Sequence, residues 1–202
     1  MRKSLLDLFE VTKEDLNPEI KKYRLYCDMD GVLCDFKGRF EYLFGKGPRE
    51  IENEKGSPYF WAIIRRVGKK YWAHMPWTSG GKTLWDAIKE YNPAILTAPP
   101  KSKDFKDFEP TATEGKEDWV TDNLGIPAGK VIFRSSKEKH LQAKNDVANG
   151  LVPILIDDRE DTIERWEAEG GIGLHHPENG SPSNVIAQIK KLYEGDSTQE
   201  RV

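Results

Sequence analysis

Along the chain, apolar positions gather into short unbroken runs and rarely alternate with polar ones. The runs are "YRLYCDM" at 23–29, "PAILTA" at 93–98, "GKVIFRS" at 129–135, "LVPILIDD" at 151–158 and "GIGL" at 171–174. Runs of this length, apolar at successive positions, predict parallel strands buried on both faces. Helical patterns separate the later ones: "EGKEDWVTDNLG", "KEKHLQAKNDVA" and "DDREDTIERWEAEG", the last stopped by Gly170-Gly171. "SPSNVIAQIKKLYEG" supplies a closing helix, with Ser181 or Ser183 at its start. Strand and helix in alternation predict an α/β fold, an open parallel sheet joined by right-handed crossovers.

One stretch breaks that alternation. From about 37 to 90 there is no strand pattern, but "FKGRFEYLF", "SPYFWAIIRRVGKKYW" and "KTLWDAIKEY" are helical and dense in aromatics. This predicts a small helical cap, residues 37–90, inserted after the first strand of a core formed by 1–36 and 91–202. "SLLDLFEVTKEDLNPEIKKY" before the first strand is weakly helical and interrupted near Pro18, and the tail "DSTQERV" reads as frayed.

Composition narrows the function classes. The chain has 202 residues, 37% hydrophobic and 32% charged, as expected of an ordinary globular domain able to bury a core. A net charge of −3 argues against duplex nucleic acid, whose binding leans on Lys and Arg. No apolar run approaches a membrane span, and "MRKSLLDLFE" reaches acidic residues too early for a secretory signal. Cys27 and Cys34, the two cysteines, are read as small core residues of a reduced, cytoplasmic protein.

The chemistry concentrates at strand ends. "YCDMDG" closes the first run with Asp28 and Asp30, and "ILIDD" closes the fourth with Asp157 and Asp158. Side-chain alternation along a strand would turn Asp28 and Asp30 the same way. Open α/β sheets place their sites at such carboxyl ends. Adjacent carboxylates repel unless a cation joins them, and a hard divalent ion with oxygen ligands suits them. Either acidic pair alone could be a polar turn or a helix start; on two strands flanking "ILTA" they form a more specific set.

"DMDGVL", then "ILTA", a lysine on a later helix, and "ILIDD" resemble the four-motif layout of the haloacid dehalogenase superfamily of phosphohydrolases. That resemblance implies a Rossmann-like sheet, dependence on Mg²⁺, and Asp28 as nucleophile forming an aspartyl-phosphate. It implies Asp30 as general acid and base, its main-chain carbonyl on the metal, and Thr97 as the hydroxyl bonding the phosphoryl group. Asp157 corresponds to the metal-ligating acid, with Asp158 as second ligand or outer partner. Of Lys137, Lys139 and Lys144, "SSKEKHLQA" best matches the family's lysine at Lys139, whose charge would face the phosphoryl oxygens.

Within the superfamily, "DMDGVLCDFKGRF" and the aromatic insertion are similar to the 5'(3')-deoxyribonucleotidases. That likeness implies a nucleoside monophosphate substrate with its base held by aromatic rings. Phe36, Phe60, Trp61 and Trp72 are the foremost candidates, with Tyr71 and Trp77 nearby and Ala98 beside Thr97. The same aromatics at helical spacing would also serve as the insertion's own core. A sugar-phosphate phosphatase, a polynucleotide-end phosphatase and a non-catalytic binding module on this fold remain alternatives, and a homodimer through the cap is left open. "SGGKT" at 79–83 is no P-loop, because Pro76 stands where the first glycine belongs. His175-His176 has no partner at metal-ligand spacing and reads as a strand-end pair. The charged stretch 99–118 could cover the site, bind a partner or be solvated.

Overall fold

A computed structural model describes residues 23–100 and 109–195. The stretch expected to form a weak helix before the first strand, part of the 99–118 stretch and the tail expected to fray lie outside these residues. Five strands form one parallel sheet: β1 (Tyr23–Cys27), β2 (Ala94–Thr97), β3 (Ile132–Phe133), β4 (Val152–Asp157) and β5 (Ile172–His175). Their order is β3-β2-β1-β4-β5, so the chain reverses direction across the sheet between β1 and β4. Such a reversal opens a crevice at the carboxyl ends of the two strands. The β3 run is longer in sequence than the strand it makes. β3 is an edge strand with β2 as its one neighbour, and pairing is confined to Leu96 with Ile132 and Thr97 with Phe133.

Period-two geometry sends alternate strand residues to opposite faces. Leu25, Cys27, Ile154 and Ile156 enter one apolar cluster, while Tyr26, Leu155 and Leu96 enter another on the far face. The far face is covered by α7 (His140–Ala148) and α8 (Glu160–Ala168), through Ala143, Ile163 and Trp166. There the Tyr26 hydroxyl donates to Asp146 Oδ2 at 2.5 Å, which satisfies a buried polar tip. The near face carries α9 (Ser183–Glu194), through Val185 and Ile189.

Between β1 and β2 run α1 (Phe36–Phe44), α2 (Pro48–Lys55), α3 (Ser57–Val67), α4 (Lys69–Ala73) and α5 (Gly81–Ile88). Asp35 starts α1 by accepting from the Gly38 N–H at 2.7 Å. Helix α6 (Pro110–Leu124) follows β2 and packs against α4. Gly115 permits that approach: a Cβ there would stand 2.5 Å from the Lys69 carbonyl oxygen and 2.7 Å from Trp72 Cβ. Trp119 adds a bond from its indole N–H to the Met75 carbonyl at 2.7 Å. Phe40, Phe60 and Trp72 of the inserted helices share one apolar cluster with Leu25, Ile156 and Ile189 of the sheet and α9. Both cysteines are free and buried in it. Among the described residues no helix is long and apolar enough to cross a membrane.

Candidate active site

Register decides which acids meet. β1 and β4 pair with Cys27 opposite Ile156, and the Asp28 N–H donates to the Ile156 carbonyl at 2.9 Å. Asp28 therefore leaves the sheet beside Asp157, the last residue of β4. Asp28 and Asp30 do border one cleft, but β1 stops at Cys27, so strand alternation is not what places them there. The chain then turns tightly, with the N–H groups of Val32, Leu33 and Cys34 all directed at the Met29 carbonyl. Gly31 makes the turn at φ +79°, and a Cβ on it would stand 2.6 Å from Asp158 Oδ2. This turn, and not the strand pleat, aims Asp30.

The result is two clusters, each built around a buried lysine. In the first, Asp28, Asp157 and Asp158 each offer an oxygen within 4.8 Å of the others. Lys139, at the start of α7, reaches Asp28 Oδ2 at 2.9 Å and Asp157 Oδ2 at 2.7 Å and is 1% exposed. Lys137 and Lys144 are exposed, so of the three lysines before β4 one enters the site. In the second cluster, Lys116 donates to Asp30 Oδ2 at 2.6 Å and to Thr97 Oγ1 at 2.7 Å. Thr97 is the last residue of β2 and is fully buried, as is Lys116.

Charge in the first cluster is unbalanced. Burial, then the Asp28 charge, pushes Asp157 up to about 6 against the pull of Lys139. Burial, then Asp28 and Asp157, pushes Asp158 up to about 7. Burial draws the Lys139 ammonium down, but Asp28 and Asp157 more than reverse this and hold it above the ordinary lysine value. Three carboxylates thus share one ammonium, and among the described residues no basic side chain pairs with Asp158. A hard divalent cation fits this donor set, since it would supply the missing charge to oxygen ligands. The Asp30 carboxylate lies outside the trio, bound by Lys116, which leaves its main-chain carbonyl as the group the resemblance assigns to the metal.

A cleft of about 360 Å³ opens over both clusters, bordered by Asp28, Asp30, Asp158, Phe36, Trp61, Trp72 and Ala98. Lys37 and Glu178, which form an ion pair, stand at its open side with Arg159. Trp61 and Trp72 also wall an adjoining pocket of about 440 Å³ that reaches Ile64, Arg65 and Thr111. Phe60 borders neither space. It is buried among the helices between β1 and β2, its ring centroid 5.1 Å from Phe40 and 6.4 Å from Phe36. Tyr71 is likewise buried, its hydroxyl donating to the Phe36 carbonyl at 2.9 Å, and Trp77 packs on Trp119. His175 ends β5 with a ring nitrogen 3.0 Å from the Asp158 carbonyl oxygen.

Lys116 is absent from the sequence reading because "EGKEDW" looks like a solvated helix face. The signal was nonetheless there. Ala112, Lys116, Trp119 and Val120 are buried at helical spacing, which sets Lys116 in the middle of an apolar stripe.

No protein-family model and no curated protein sequence matches the chain. Solved structures do. A hydrolase from Streptococcus pneumoniae TIGR4 superposes with a TM-score of 0.52 at 16% identity, covering 85% of this chain and 100% of that one. The two chains share a fold. A putative haloacid dehalogenase-like hydrolase from Burkholderia xenovorans has a TM-score of 0.46 at 12% identity, over 86% and 88% of the two chains. A HAD-family enzyme from Bacteroides thetaiotaomicron, solved as a magnesium complex, has 0.45 at 14% identity, over 82% and 98%. At these identities the likeness is one of fold, and the chemistry of the site rests on its own side chains.

Proposed function

We propose that the protein is a Mg²⁺-dependent phosphomonoester hydrolase that works through an aspartyl-phosphate, with (deoxy)nucleoside monophosphates as its substrates. The observation that carries this reading is the pair of lysine-centred clusters facing one cleft. Asp28, Asp157 and Asp158 would hold the metal, which supplies positive charge to the phosphoryl oxygens when bound. An Asp28 carboxylate oxygen attacks phosphorus while the bond to the leaving oxygen breaks. Asp30, on the far side of the turn, delivers a proton to that leaving oxygen. It then takes one from the water that opens the acyl-phosphate and frees Asp28. Lys139 fixes Asp28 against Asp157, and the Thr97 hydroxyl binds the phosphoryl group.

Trp61, Trp72 and Phe36 border the cleft and favour a leaving group that carries a flat ring, such as a nucleoside with its base. The test is phosphate release by the purified protein from dUMP, dTMP, dGMP, UMP, 3'-UMP and glucose 6-phosphate, with EDTA and Asp28→Asn controls. Preference for deoxynucleotides supports the whole reading. Even release, or preference for the sugar phosphate, keeps the aspartyl-phosphate chemistry and rejects the aromatic base site. No metal-dependent release from any substrate favours the non-catalytic binding module.

A further inference from the structure

We propose that Lys116 is a positioning residue for phosphoryl transfer, one that fixes the Thr97 hydroxyl as a donor and holds Asp30 in place. This rests on the phosphohydrolase reading above and adds to it a residue outside the four motifs. Lys116 is 0% exposed, a burial that lysine tolerates only when its charge is answered. Its ammonium has three hydrogens and no lone pair. One is directed at Asp30 Oδ2 (2.6 Å) and another at Thr97 Oγ1 (2.7 Å), while the Trp72 ring centroid stands 5.5 Å away. The close packing of α6 on α4 that Gly115 allows brings the ammonium to these partners.

The consequence for Thr97 is one of polarity. A hydroxyl that accepts from an ammonium keeps its own hydrogen for another acceptor. Among the described residues no protein acceptor takes it, and Ala98 beside Thr97 borders the cleft, so among these residues a phosphoryl oxygen is the acceptor the hydroxyl would meet. Asp30 is held twice, by Lys116 at Oδ2 and by the Cys34 thiol, 3.6 Å from Oδ1. Removing the ammonium frees the Thr97 hydroxyl to rotate and the Asp30 carboxyl to swing. Misplacement of such groups by about 1 Å costs on the order of 10²-fold in rate.

The experiment is a double-mutant cycle of Lys116→Met and Thr97→Val, read by steady-state kinetics on the preferred monophosphate and by calorimetric titration with inorganic phosphate. Lys116→Met should lower kcat by about 10²-fold with KM changed by less than roughly threefold. It should also weaken phosphate binding about 10-fold, the share of one hydrogen bond to a charged group. In the Thr97→Val background the same substitution should weaken phosphate binding by less than about twofold, because the hydroxyl it orients is gone. Lys116→Gln, which keeps an amide donor, should recover part of the loss and serves if the Met variant does not fold. Equal losses of phosphate binding in both backgrounds, or a Lys116→Met enzyme with normal kcat, would overturn the proposal. If the wild type releases no phosphate from any monoester, the phosphohydrolase reading fails on its own. The phosphate titration then still decides whether Lys116 acts through Thr97.

Discussion

The two buried lysines occupy similar positions and do different work. Lys139 belongs to the sheet's own machinery and stands between Asp28 and Asp157, with Asp158 close by and without a counter-charge. Lys116 comes from α6 and meets one carboxylate and one hydroxyl, an arrangement in which its charge is answered by Asp30. The first cluster has excess negative charge and is suited to receive a cation. The second is complete and suited to keep two groups still. Where buried charge is left unbalanced, a ligand is expected; where it is balanced, geometry is being enforced.

The comparison can be tested by removing one side at a time. Asp28→Asn deletes the proposed nucleophile and should lower turnover by more than about 10⁴-fold, a loss of the size seen when a nucleophile in an interdependent set is removed. Phosphate-release assays with a fold check by circular dichroism would measure this. Lys139→Met leaves Asp28 and Asp157 facing each other and should cost about 3–5 kcal/mol of stability in metal-free buffer, read by urea unfolding. Magnesium should narrow the gap between Lys139→Met and wild type, whereas it should stabilise Lys116→Met and wild type alike and leave their gap unchanged. Equal rescue of both variants would erase the distinction between the clusters.

Smaller effects sharpen the same contrast. Magnesium at about a hundred times its dissociation constant stabilises the folded state by about 2.7 kcal/mol, roughly 5–10 °C in midpoint for a chain of this size. The shift should be greater at pH 8 than at pH 6. Asp157 and Asp158, raised to about 6 and about 7, hold protons at the lower pH that the metal must displace. A shift independent of pH would place the metal elsewhere. Trp61→Ala should raise KM for nucleoside monophosphates by roughly 5- to 100-fold, the equivalent of about 1–3 kcal/mol of stacking. An equal rise for phenyl phosphate would assign Trp61 to packing of the insertion.

The sheet and the first cluster were legible in sequence because they are written locally. Apolar runs mark the strands, and acids immediately after two of them mark Asp28, Asp157 and Asp158. Lys139 was preferred over Lys137 and Lys144 through the family resemblance alone, and its burial was not legible. What escaped depends on contacts between distant segments. β1 ends at Cys27 and the chain folds back on the Met29 carbonyl, so a turn that strand alternation did not foresee brings Asp30 to the same cleft as Asp28. Phe60 and Trp61 are neighbours in sequence, yet one is buried in the core and the other borders the cleft, because successive side chains on α3 diverge by about 100°. Lys116 was hidden by acidic neighbours, although the helical period of α6 places it between Ala112 and Trp119.

The close seating of α6 on α4 also bears on modular exchange. The helices between β1 and β2 supply one wall of the apolar cluster that the sheet and α9 need, and through Trp72 they touch the ammonium that holds Asp30. A chimera that grafted a foreign insertion onto this sheet would lose core volume and disturb the second lysine in the same operation. Selectivity and chemistry in this chain are therefore expected to drift together under mutation, and a new specificity would be reached by changing single rings along the cleft.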